Sequence, residues 1–469
     1  MHSTSSTKIS PTNTLHILAF PFPAQGHILP LLNLTHKLAL LGLKITILIT
    51  PKNLPILDPL LLTHPSSIQT LILPFPPHPK LSSGIENVKD IGNSGNTPII
   101  ASLSKLENQV IQWFKSHPYP PQAIISDVFL GYTQIWAQKL NIPGICFVTS
   151  GAFVTCLFDQ LLININKFKN PSCVHFENIP RSPLFHEKQL PSLYRKYKKD
   201  DPDWKIVMNS FADNNKSWAY VFNSFDGLEG EFLDHMKKDL GHERVFSIGP
   251  LSSISESKRV SLDSSAGSGV LQWLDKWQDA GCVLYVCFGS QKVLTKQQIE
   301  AVALGLEQSM TRFVWVVKEQ DSPWIPNGFE DRISDRGLII KGWTPQVDIL
   351  NHNAIGGFLS HCGWNSTLES IRAGVMILAW PMEADQFQNA KLLVEYVKLA
   401  VGVCEGEDTV PDPYELGRII KESMSENVPQ KENVKVMKQK ALEAVKEGGS
   451  SFIQLNELVK MLASKINMN

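Results

Sequence analysis

At 469 residues the chain is longer than one hydrophobic core organises, so two or three domains are expected. Hydrophobic residues at 43% and charged residues at 19% exclude an intrinsically disordered chain. A formal net charge of −1 offers no general attraction to nucleic acid or anionic membrane, so neither is expected as a partner and any phosphate binding must be local.

The chain opens with a polar, Ser/Thr-rich stretch, Met1 to Thr14, and its first apolar run, Leu15 to Phe22, is short and broken by prolines. It lacks the length of a membrane span and the basic flank and cleavage site of a secretory signal, so a cytoplasmic protein without membrane insertion is expected. The sequons at Asn33 and Asn365 then read as chance. Short apolar runs next alternate with helical stretches, which predicts a parallel α/β sheet. Strands are expected at Leu15–Phe20, Lys44–Thr50, Thr70–Leu73, Ala123–Ser126 and Gly144–Val148. Leu31, Leu34, Leu38 and Leu41 predict a helix between the first two, with Pro30 near its start and Gly42 at its end. Signals are mixed from Phe153 to Phe232.

Ser252 to Ser268 is polar and Ser/Gly-rich, which predicts a linker (251–268) between an N-terminal domain, 1–250, and a C-terminal domain, 269–446. In the latter, strands are expected at Cys282–Phe288, Phe313–Val317, Leu338–Lys341, Ile355–Leu359, Val375–Ala379 and Val401–Cys404. A terminal helix, with Phe452, Leu455, Leu458, Val459 and Leu462 on one face, is expected within 447–469 and to pack back on the N-terminal domain. The seven cysteines lack CxxC spacing, so neither a disulfide framework nor a zinc site is expected.

Three segments carry chemistry. Ser360-His361-Cys362-Gly363-Trp364-Asn365-Ser366-Thr367-Leu368-Glu369 reads as strand, loop and helix start, where unpaired N–H groups and the helix dipole make an anion site. Ser366 with Glu369 also spells a capping box, and from these residues alone both readings stand. Pro21-Phe22-Pro23-Ala24-Gln25-Gly26-His27 follows a strand, and a histidine there is poised to take a proton near neutral pH. Ile124-Ile125-Ser126-Asp127 ends a strand on an acid that either orients such a histidine or caps the next helix. Neither GxGxxG nor GxxxxGK[ST] occurs, which disfavours a nucleotide-dependent oxidoreductase.

Trp343-Thr344-Pro345-Gln346, Ile355-Gly356-Gly357-Phe358, His361 to Ser366 and Trp380-Pro381-Met382-Glu383-Ala384-Asp385-Gln386 together resemble the signature box of plant secondary-product UDP-glycosyltransferases, over the same 44-residue span. Phe288-Gly289-Ser290, Ile248-Gly249-Pro250-Leu251 and Gly448-Gly449-Ser450-Ser451 extend the resemblance over most of the chain. The resemblance implies the GT-B fold class: two Rossmann-like, doubly wound α/β domains facing across a cleft. Carried onto these positions, it implies that Trp343 stacks on uracil and the Thr344 backbone pairs with its edge. Gln346 and Glu369 would hold the ribose, and Ser290, His361, Asn365 and Ser366 the diphosphate, with Gly363 allowing close backbone approach and Gly26 counted in the same UDP-sugar-binding set. Trp364, Asp385 and Gln386 would meet the sugar, Thr149 the sugar or the phosphate, and Phe129, Phe153 and Glu383 would line the acceptor pocket.

The same resemblance makes His27 the base and Asp127 its partner in an inverting, metal-independent transfer with no bound cofactor. The expected substrates are a UDP-sugar, glucose first, and a small phenolic such as a flavonoid or hydroxybenzoate, handled by a monomer. UDP-rhamnose or UDP-xylose as donor is the alternative within this class. A catalytically silent UDP-binding protein is the alternative outside it, disfavoured by retention of His27 and Asp127.

Overall fold

A computed structural model of the chain describes residues 15–163, 172–252 and 264–467. Five parallel strands open the chain: β1 (His16–Phe20), β2 (Lys44–Ile49), β3 (Ile68–Ile72), β4 (Ala123–Asp127) and β5 (Gly144–Val148). Two short strands, β6 (Cys173–His175) and β7 (Leu184–His186), form an antiparallel hairpin. They precede β8 (Ala219–Phe222), which takes the place beside β5, and β9 (Val245–Ser247). A second sheet follows, from β10 (Val283–Cys287), β11 (Arg312–Val317), β12 (Gly337–Lys341), β13 (Ile355–Ser360), β14 (Met376–Ala379) and β15 (Ala400–Gly402), parallel throughout.

The central strands are apolar on both faces, as sheets covered by helices on either side require. HILAF of β1 and VLYV of β10 are buried residue after residue. Each fully buried aliphatic side chain there contributes roughly 1.5–3 kcal/mol. The helix after β1 runs Gln25–Leu40, so Pro30 lies inside it rather than at its start. Gly42, at φ 87°, ends it as expected.

Strand order locates the functional ends. The first sheet runs β3-β2-β1-β4-β5-β8-β9 and the second β12-β11-β10-β13-β14-β15. Each reverses direction once, between β1 and β4 and between β10 and β13, and ligands of open α/β sheets bind beyond the strand ends at such a reversal. Register then brings particular residues together. Phe20 pairs with Ser126, setting Asp127 beside the entry to the first helix. Cys287 pairs with Ser360, setting the Gly289 turn beside His361.

The chain divides into two compact units, Met1–Val148 with Asp200–Val221 and Asn456–Asn469, and Thr149–Lys199 with Phe222–Leu455. The sequence-drawn boundary at residue 250 falls inside the second unit. Part of the expected linker, 253–263, lies outside the described residues, and from Ser264 the chain is helix to Leu274. The terminal helix is Ser450–Asn467, and its last turns, from Asn456, group with the first unit. All seven cysteines are free. Among the described residues no helix is long and apolar enough to cross a membrane.

Candidate active site

The residues singled out from the sequence fall into two groups, one in each unit. In the first unit, Ala24 in extended conformation starts the helix Gln25–Leu40 without a side-chain cap, and His27 occupies its first turn. The imidazole Nδ1 donates to Asp127 Oδ2 at 2.9 Å. Asp127 is fully buried and the His27 side chain is 20% exposed, so the acid is shielded while the ring keeps an open edge. The other carboxylate oxygen, Oδ1, accepts from the Phe129 amide at 2.9 Å and caps the short turn Val128–Leu130. Capping and orienting, alternatives in the sequence, are thus served by the two oxygens of one carboxylate.

Aromatic rings wall the imidazole. Phe129 lies 4.5 Å from it and Phe22 lies 5.3 Å from it, edge-on, with Phe211 behind Phe129 at 5.5 Å. With Nδ1 committed to Asp127, proton transfer falls to Nε2. Phe129 is half-buried beside the base, as an acceptor-lining residue would be. Gly26 sits in the same first helical turn.

In the second unit, β13 ends at Ser360 and the helix Trp364–Ala373 begins after Gly363, in extended conformation and without a side-chain cap. Ser366 is the third helical residue, so the capping-box reading of Ser366 and Glu369 is corrected. The helix starts earlier, and both side chains turn to another partner. Gln346 Nε2 donates to Ser366 Oγ at 3.0 Å and to Glu369 Oε2 at 2.7 Å. The Tyr285 hydroxyl, buried in β10, donates to Gln346 Oε1 at 3.4 Å and lies 3.3 Å from Thr344 Oγ1. Trp343, next in line, is 46% exposed, an indole open to a stacking partner.

Between β13 and the helix, Cys362 takes a left-handed φ of 63° and its carbonyl accepts from Asn389 Nδ2 at 3.0 Å. The His361 ring lies against two glycines. A Cβ on Gly289 would come within 2.7 Å of it, and one on Gly363 within 2.6 Å. Burial, with the Lys318 charge adding to it, pushes the His361 pKa down to about 4, so the ring is neutral at pH 7. Its Nδ1 is a buried atom without a hydrogen-bond partner among the described residues. Ser290 is exposed in the turn after β10, and Asn365 is half-buried in the helix's first turn.

Three of the residues assigned to the sugar, Asp385, Gln386 and Trp364, each have partners of their own. Asp385 Oδ2 accepts from Ser150 Oγ at 2.5 Å, one residue beyond the buried Thr149. Gln386 Oε1 accepts from the amides of Met382 (3.0 Å) and Glu383 (2.9 Å). Trp364 is only 3% exposed, and its indole N–H donates to the Asn223 carbonyl at 2.9 Å. Glu383 is also buried, at 6%. Phe153, expected at the acceptor pocket, is fully buried against Phe232 (4.7 Å), Tyr396 (5.6 Å) and Phe185 (6.2 Å). Tyr285, Asn389, Ser150 and Asn223 support the group and carry no signal of their own in the sequence. Among the described residues no group of three or more His, Cys, Asp or Glu could hold a metal ion.

Similarity to known proteins follows the same outline. The family model described as UDP-glucoronosyl and UDP-glucosyl transferase matches residues 273–438. The chain is 50% identical over 460 residues to UDP-glycosyltransferase 89A2 of Arabidopsis thaliana, covering 97% of each. It is 47% identical over 466 residues to flavonol 3-O-glucosyltransferase UGT89B1 of the same plant, again covering 97% of each. Among solved structures, Arabidopsis thaliana UGT89C1 complexed with UDP-L-rhamnose matches with a TM-score of 0.80 and 35% identity, over 96% of this chain and 100% of that one. The same protein complexed with quercetin matches with a TM-score of 0.79.

Proposed function

The chain belongs to the plant UDP-glycosyltransferases, of GT-B fold, and on that premise we propose that it transfers glucose from UDP-glucose to a hydroxyl of a small phenolic such as a flavonol or hydroxybenzoate. The observation that carries the reading is the 2.9 Å bond from His27 to the fully buried Asp127 at the β1/β4 reversal. Asp127 fixes the tautomer in which Nε2 accepts a proton, and it stabilises the imidazolium that forms. A phenol, with a pKa near 10, gives up its proton to such a base readily as its oxygen attacks.

In the proposed step Nε2 of His27 takes the phenolic proton while the acceptor oxygen bonds to the anomeric carbon. The bond from that carbon to the UDP oxygen breaks, and the configuration inverts. The leaving diphosphate is stabilised by the uncapped amides of the Trp364–Ala373 helix with Ser290, His361, Asn365 and Ser366, and no step uses a metal. Trp343 stacks on uracil, while Gln346 and Glu369, already bonded to each other, meet the ribose. A flavonol acceptor is favoured by the name of one 47%-identical relative and by the quercetin complex of UGT89C1. The UDP-L-rhamnose complex of that protein supports a second reading, rhamnose as donor.

Purified protein given UDP-glucose and a flavonol is expected to release UDP and yield a product heavier by one hexose. His27→Ala should slow it by about 10²–10⁴-fold, the usual worth of a positioned base. Full turnover in that variant would sink the dyad assignment. A larger kcat/KM with UDP-rhamnose would move the donor to the second reading.

A further inference from the structure

Among the described residues, Glu229 is the most deeply buried acid of the second unit that the proposed reaction does not use. It sits at a break in the helix Asp226–Leu240, where its own φ of −132° is non-helical, and it has no exposed surface. An ionised carboxylate in such a place is costly unless its lone pairs are taken by donors. Here they are. Oε2 accepts from the Ala152 amide at 3.0 Å and from Ser224 Oγ at 2.6 Å, and Oε1 accepts from the Phe153 amide at 2.9 Å. Ala152 and Phe153 are the first two residues of the helix Ala152–Ile163, so the negative charge also meets the positive end of that helix. Burial raises the Glu229 pKa, and the three donors oppose that rise.

What Glu229 holds is the turn that carries Ser150 and Gly151. Gly151 lies between Glu229 and Trp364: a Cβ there would be 2.5 Å from Glu229 Oε1 and 3.0 Å from the Trp364 ring. Ser150 donates to Asp385. The carbonyl that receives the Trp364 indole N–H belongs to Asn223, next to the Ser224 that donates to Glu229. One buried carboxylate therefore joins, through neighbouring residues, both Trp364 and Asp385. The residues assigned to the ribose bond elsewhere: Gln346 donates to Ser366 and Glu369 and accepts from Tyr285.

We propose that Glu229 is a positioning residue for the sugar half of the donor, holding the 149–153 turn so that Asp385 and the Trp364 backbone present a fixed edge to the hexose. This rests on the UDP-sugar reading above. Its signature is a split between sugar and nucleotide. Glu229→Gln keeps the size but turns an N–H₂ toward a backbone amide, so one acceptor is lost.

The expected result is a KM for UDP-glucose raised about tenfold with the inhibition constant of UDP unchanged within about twofold, a loss confined to the sugar end. Ser150→Ala, which removes only the hydroxyl on Asp385, should show the same split more weakly, and it decides the matter if Glu229→Gln does not fold. A UDP-glucose KM like wild type in the folded variants, or UDP binding weakened in step with it, overturns the proposal. Wild-type protein that turns over no UDP-sugar while binding UDP would instead overturn the underlying reading.

Discussion

Asp127 divides its two oxygens between a cap and a base, and that division makes a clean test. Asn at this position keeps an oxygen for the Phe129 amide, so the turn Val128–Leu130 survives. Its N–H₂ then faces His27 Nδ1, which must accept, and the proton moves to Nε2, where the base can no longer take one. Asp127→Asn is expected to cut kcat by about 10²–10⁴-fold while the melting temperature and UDP affinity stay near wild type. His27 was legible because its residue type, its place after a strand and the family setting agreed. Whether Asp127 capped or oriented was not, because sequence spacing cannot say which lone pair faces which donor. His361 carries a different prediction. Its pKa falls from 6.5 when unfolded to about 4 when folded, so between these values the unfolded chain binds more protons. Stability should therefore fall as pH drops from 6.5 toward 4 and level off below, by about 2 kcal/mol after allowing for the ring's partial solvent contact. Denaturant melts across that window should show a slope that His361→Gln flattens.

Elements were the most legible scale, and the ends of elements the least. The runs at Ile355–Leu359 and Cys282–Phe288 became β13 and β10 almost to the residue, because a parallel strand buried on both faces must be apolar throughout. The helix after β13 was placed too late: Ser366 and Glu369 have the spacing of a capping box, yet Gly363 begins the helix and Gln346 takes both side chains. Local spacing names a possible cap, and a long-range partner overrides it. The short strands β6 to β9 escaped because three or four residues carry too little periodicity. The glycine turn after β10 gives the prediction at this scale. Gly289 has φ 77°, and a Cβ on it would press on the His361 ring. Gly289→Ala should weaken UDP binding about tenfold, beyond the roughly 1–2 kcal/mol of stability that a left-handed alanine costs. Gly42, at φ 87° with nothing near its missing Cβ, is the control. Its alanine variant should lose the stability and keep the UDP affinity, as isothermal titration would report.

At the scale of the whole chain, the polar stretch before residue 268 drew the eye to a boundary near 250, while compactness groups 149–199 and 222–250 with the second sheet. Composition marks where a chain is polar; it does not mark which buried groups depend on which. The dependence here is specific. Trp364 gives its indole N–H to Asn223, Arg372 donates to the Pro250 carbonyl at 3.2 Å, and Asp385 receives Ser150. Ser451 Oγ donates to the Gly249 carbonyl at 2.6 Å, in the buried start of the terminal helix. A fragment beginning at residue 251 would carry the whole signature box and all of β10 to β15, yet strip each of these groups of its partner. Each of the two buried groups, the Trp364 indole N–H and the Ser451 hydroxyl, costs about 1–3 kcal/mol when orphaned, a large share of the roughly 5–15 kcal/mol of an ordinary domain, and half-buried Arg372 and Asp385 lose their partners as well. Residues 251–469 expressed alone are therefore expected to give broad, non-cooperative melts, rapid proteolysis and no measurable UDP binding, although a boundary drawn from composition predicts a self-sufficient donor domain. A sharp thermal transition with wild-type UDP affinity in that fragment would show that 149–199 and 222–250 are dispensable to the unit, and would restore the boundary at 250.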